Sequence, residues 1–138
     1  MRTGRFSAVA FAVLVFACLP GATLSAHHSR AGYDTAKEKL TTLNGVVTAV
    51  MWRNPHVYLT WDSKDDKGTM VHWTGEFSSP ATMISEGLSR DTFKPGDPLT
   101  LTFMPTKAGT PQGLVIRIVR PDGKVVIDLS ERRGLLEQ

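Results

Sequence analysis

The stretch His56-Val57-Tyr58-Leu59-Thr60-Trp61, with Met70-Val71-His72-Trp73-Thr74-Gly75-Glu76-Phe77 after it, decides the fold. In both, apolar and polar side chains alternate with a period of two, the signature of strands that turn one face to a core. Val57, Leu59 and Trp61 share one face of the first. Val71, Trp73, Gly75 and Phe77 share one face of the second. The polar DSKDDKG between them, residues 62–68, makes the pair a hairpin.

The pattern extends in both directions. Thr42 to Trp52, rich in β-branched residues, reads as a long first strand with a bend or bulge at Gly45, broken by Asn54-Pro55. After Phe77 comes the one helical signal, with Ser79 as cap, Pro80 in first position and Gly87 at the end. Ile84 and Leu88, four apart, are its expected inward side. Pro95-Gly96 suits a type II turn. Leu99, Leu101 and Phe103 form the inward face of a fourth strand, and Leu114, Ile116 and Ile118 that of a fifth. Val125 and Ile127 make a short sixth. Three strands, a short helix and two further strands is the order of an OB-fold. The expected fold is therefore mainly β: a small OB-fold-like barrel of five to six strands with one short helix between strands 3 and 4. In such barrels the face of strands 2 and 3, with the loops joining strands 1–2 and 4–5, is the usual binding surface.

The N-terminus has the order of a secretory signal. Arg2 and Arg5 precede the apolar run Ala8 to Leu19, and small residues lead to Ala26. Twelve apolar residues are too few for a membrane-spanning helix, which needs roughly 20. Cleavage after Ala26 divides the chain into a signal peptide (1–26), an N-terminal arm (27–39), a barrel domain (40–130) and a flexible tail (131–138). The product is expected in the periplasm, with no transmembrane segment after processing. The single cysteine, Cys18, leaves with the signal, so the 112 remaining residues must be stabilised by one core without disulfides.

Charge excludes one class of partner. The chain holds 16 Lys and Arg against 13 Asp and Glu, and loss of Arg2 and Arg5 leaves 14 against 13. A side-chain charge of +1, with no basic run longer than Arg132-Arg133, speaks against nucleic acid. The partner is expected to be a protein or a small molecule.

The four histidines carry the most chemical information. Cleavage makes His27 the first residue, so that its amine and ring can chelate one metal. His28 in second place offers the amine, a backbone amide and an imidazole in one plane. Both arrangements suit Cu(II), which favours tetragonal nitrogen sites. His56, His72 and Glu76 share the outward face of the hairpin by alternation, so the metal-site residues read from the sequence are His27, His28, His56, Glu76 and His72. Copper is the candidate cofactor. Met51, Met70 and Met104 are candidate soft donors for Cu(I), and Trp52, Tyr58 and Phe77 are candidate stacking residues. A Ser–His–Asp set and a paired-carboxylate site are both lacking, and no catalytic residue is assigned.

Four segments together, Ala26-His27-His28-Ser29, Trp52-x-Asn54-Pro55-His56, Trp73-x-x-Glu76 and Lys94-Pro95-Gly96-Asp97, resemble a family of short exported bacterial proteins classed as a domain of unknown function. The resemblance spans nearly all of the processed chain. It implies a Gram-negative periplasmic setting and supplies no activity. It strengthens His27, His28 and His56, while His72 and the methionines lie outside its pattern. Three readings follow: a periplasmic module binding copper or a similar metal, a metal-free OB-type module binding a protein or small ligand on the strand 2–3 face, and a small copper-dependent oxidative enzyme. A non-enzymatic role is favoured, because so small a barrel offers little substrate surface.

Overall fold

The computed structural model describes residues 30–131. The strands are β1 (Thr41–Trp52), β2 (Val57–Lys64), β3 (Met70–Glu76), β4 (Pro98–Pro105), β5 (Gln112–Val119) and β6 (Val125–Asp128), with helix α1 (Pro80–Ser85) between β3 and β4. The first half of β1 pairs antiparallel with β4, from Thr41 opposite Phe103 to Val46 opposite Pro98. Its second half pairs with β2, ending with Trp52 opposite Val57. β2 pairs with β3, and β4 with β5. A short parallel contact, Thr74–Gln112, Gly75–Gly113 and Glu76–Leu114, closes the circle between β3 and β5. β6 adds to the outer edge of β5. This is a closed five-stranded OB-type barrel with one extra strand.

Trp61 fills the middle of the barrel and is fully buried. It stacks on Trp73 at 6.1 Å between ring centroids and meets the edge of Phe103 at 5.6 Å. So large a ring fits because its neighbours are glycines. A Cβ on Gly45 would stand 2.9 Å from the Asp62 carbonyl oxygen and closer still to the indole, and one on Gly75 would stand 2.9 Å from Trp61 Cζ3. A Cβ on Gly113 would stand 2.9 Å from Phe103 Cγ. Gly45 therefore makes room for Trp61, and the β1 bulge expected there falls instead between Val47 and Ala49.

Two inward faces differ from the sequence reading. In β5, Thr102 faces Arg117 while Phe103 faces Val115, which leaves Ile116 as the extra residue of a bulge. The bulge switches parity, so Val115 and Ile118 enter the interior cluster, whereas Leu114 is only half-buried and Ile116 is buried outside that cluster. In α1, Met83 and not Ile84 packs inward, and Ile84 is 62% exposed. Six residues give less than two turns, so a one-residue rotation exchanges those two side chains. The helix signals stand: Ser79 Oγ accepts from the Thr82 amide, and Gly87 takes a positive φ of 80°.

The described part of the arm lies on the barrel. Tyr33 bridges Thr106, the Asp34 amide donates to Pro105 and the Lys107 amide donates to Gly32, both at 2.9 Å. The signal segment, with His27 and His28, lies outside the described residues, as does the tail from residue 132. No described helix is long and apolar enough to cross a membrane.

Trp61→Ala should destabilise the barrel by about 3–5 kcal/mol, the usual cost of emptying a large aromatic site. Trp73→Ala, at a half-buried position, should cost less. Gly75→Ala should cost about 1–3 kcal/mol through overpacking against the same indole. Urea denaturation followed by tryptophan fluorescence measures all three.

Candidate functional site

His56 ends the β1–β2 loop, immediately before the fully inward Val57, and is thereby aimed outward. Tyr58, two residues on, faces the same way and pairs with Glu76 of β3. Glu76 stands at the seam where β3 closes onto β5. Its carboxylate is held from two sides. His56 Nδ1 donates to Oε1, and the Tyr33 hydroxyl of the arm donates to Oε2 at 2.8 Å. The His56 and Tyr58 rings lie 6.4 Å apart. Only 12% of the His56 side chain and 22% of that of Glu76 are exposed. The barrel's usual ligand face thus carries a half-buried group built from a loop, two strands and the arm.

The electrostatics follow from that burial. The Tyr33 hydroxyl is pushed far above the ordinary tyrosine range, first by burial, then by its bond to Glu76 and the negative charge there. Tyr58 is raised as well, by desolvation and the Glu76 charge, with Arg53 pulling the other way. Both phenols are therefore hydrogen-bond donors at neutral pH and poor nucleophiles.

Of the residues singled out in the sequence, the fold brings together His56 and Glu76. His72 belongs to a second pair: it stands opposite Asp62 in the hairpin, and its Nδ1 bonds Asp62 Oδ1. It lies four positions before Glu76 along β3, about 13 Å at roughly 3.3 Å per residue. The His72 side chain is 81% exposed. A groove of about 760 Å³, lined in part by Asn44, Val46, Asp62 and Met70, opens on that side and shares no residue with the His56 group. Met51 is opposite Tyr58, Met70 is exposed and Met104 is buried. Trp52 and Phe77 pack with the core, so of the expected stacking residues Tyr58 alone stands beside the site. Among the described residues no group of three His, Cys, Asp or Glu side chains comes together.

Sequence reasoning missed Tyr33. The arm has no periodicity, and a lone aromatic in a polar segment was the only sign that this part of the chain is anchored.

Fold and site together define a small OB-type barrel whose strand 2–3 face carries a carboxylate-held histidine. The chain belongs to the family of unknown function DUF6152, whose model matches residues 15–117. No curated protein and no solved structure matches it.

The chain has two tyrosines, Tyr33 and Tyr58. Titration at the tyrosinate absorbance should show ionisation beginning only above the ordinary value near 10. Tyr33→Phe should remove the later step. Because folding raises both values, the stability they contribute is fully present below pH 10 and is lost as pH rises through the folded-state range. Thermal melts should fall progressively above pH 10, less steeply in Tyr33→Phe.

Proposed function

We propose that this chain is an exported, periplasmic binding module that holds one Cu(II), or a similar metal ion, through its processed N-terminus and His56. The observation that carries the reading is the bond from His56 Nδ1 to Glu76. Metal-binding histidines almost always donate one ring N–H to a carboxylate, which fixes the ring and its tautomer and makes the other nitrogen the ligand. In this reading Glu76 is the orienting partner of His56.

The arm supports the same conclusion. It docks beside this group through Gly32, Tyr33 and Asp34. Three residue-to-residue steps join His27 to Arg30, and three steps span at most about 11 Å. In this reading the amine and imidazole of a processed His27, or the donors of His28, complete the site with His56. Copper(II) suits that nitrogen-rich set, and the released protons make affinity fall as the solution is acidified. Signal cleavage creates the amine, so export and metal binding are one event in this reading. His72, paired with Asp62 on the far side, takes no part.

The test compares four proteins by competition titration with Cu(II): the domain beginning at His27, the same domain with a Met before it, His56→Ala and His72→Ala. The extra residue and His56→Ala should each weaken binding by about tenfold or more, equivalent to about 1.4 kcal/mol. His72→Ala should bind as the parent does. Equal affinity in all four would overturn the site and leave a metal-free module that binds its ligand on the same face.

A further inference from the structure

The first half of β1 has a strand partner on one side. Val47 turns its backbone toward the start of β4: its amide donates to the Asp97 carbonyl at 2.9 Å, and its carbonyl accepts from the Gly96 amide at 2.8 Å. Main-chain groups alternate sides along an antiparallel strand. Gly45, Leu43 and Thr41 therefore also turn toward β4, opposite Leu99, Leu101 and Phe103. Val46, Asn44 and Thr42 turn the other way, toward β2. Pairing with β2 ends at Val46 opposite Asp62. Beyond it the Ser63 hydroxyl donates to the Asn44 carbonyl at 2.7 Å, and among the described residues no further β1–β2 pair forms. The edge at Thr42 and Asn44 opens instead on the groove of about 760 Å³.

We propose that this groove is a strand-addition site: it takes an extended peptide of a partner protein, apolar at alternate positions and with an acidic side chain beside Lys64. The inference is independent of the metal reading, since the groove shares no residue with the His56 group.

Three observations define the occupant. The N–H and C=O groups along a strand edge are matched by another extended backbone. Residues 41–45 give it roughly 16 Å, at about 3.3 Å per residue. The walls are apolar: Leu43, Val46, Met70, Pro98 and Pro121 line the groove, and Val46 and Met70 are 45% and 50% exposed. Alternate apolar side chains on the incoming strand would cover them. The charged lining residues are Asp62 and Lys64. Asp62 is already engaged by His72, whereas Lys64 is exposed and, among the described residues, pairs with no carboxylate. The groove therefore offers a ligand an uncompensated cation, which favours an acidic side chain and disfavours a basic one.

The test uses the domain beginning at His27 and three labelled six-residue peptides. One alternates valine with threonine and has glutamate at a central polar position. The second has lysine there, and the third is the glutamate peptide N-methylated along its backbone. Fluorescence anisotropy should show saturable binding of the first, with the second weaker by about two- to fivefold and the third by about tenfold or more. Lys64→Ala should equalise the glutamate and lysine peptides. Thr42→Pro removes a groove-facing N–H and spares the β4 ladder, at an edge where proline is tolerated. It should weaken the glutamate peptide by about threefold or more. Exchange of the Thr42 and Asn44 amides should slow when that peptide is added. No binding of the glutamate peptide, equal binding of its N-methylated form, or an unchanged preference in Lys64→Ala would each overturn the proposal. Sedimentation that shows a dimer lost in Thr42→Pro would overturn it too, because the groove would then belong to a second copy of this chain. Protection of both amides before any peptide is added would show the edge already covered and have the same effect.

Discussion

A five-stranded barrel of short strands has little interior, and the Trp61 indole takes the largest single share of it. Everything opposite that ring has had to give way. Gly45 on β1 and Gly75 on β3 leave space where any side chain would collide with it, and Gly113 on β5 does the same for Phe103. Gly75 and Gly113 are also partners in the parallel contact that closes the barrel. Two bulky rings thus lie directly behind the seam. Close packing of this kind tolerates little change in volume in either direction.

That seam determines where the site can be. Glu76 follows Gly75 directly, so its side chain emerges on the outer face at the point where β3 meets β5. On one side stands Tyr58, its antiparallel partner in β2, two residues beyond His56. On the other, β4 and the start of its loop receive the arm. One carboxylate at the join is within reach of both, and it binds a donor from each. The interior packing and the exterior chemistry are therefore two faces of the same pair of residues. A substitution at Gly75 that displaced the seam would move Glu76 as well as loosen the core.

Much of this was readable from residue order, because much of it is local. Alternation over residues 56–61 and 70–77 gave the correct faces for Val57, Leu59, Trp61, Gly75 and Phe77, and it put His56 and Glu76 together on the outside. Ser79, Pro80 and Gly87 marked the helix because capping is chemistry within one turn. The misreadings are of another kind. A bulge at Ile116 reverses the parity of β5, and nothing in Leu114 to Ile118 announces it, since all but Arg117 are apolar. Likewise the Tyr33 hydroxyl bonds a partner 43 residues away. Such pairings are set by how strands close and not by any neighbour in the chain.

One detail of the arm has an evolutionary side. Between the bridge at Tyr33–Thr106 and the first β1–β4 pair at Thr41–Phe103, the chain uses seven residues where β4 uses two. The surplus is spent in an excursion that includes one short 3-10 turn at Lys37–Lys39, with no buried residue. Both ends of that excursion are anchored by backbone pairing, so its length is not constrained by the core. Insertions and deletions there can accumulate among relatives without disturbing either anchor. The segment around 37–40 is therefore where natural length variation should concentrate, with the barrel and the docked Tyr33 unchanged.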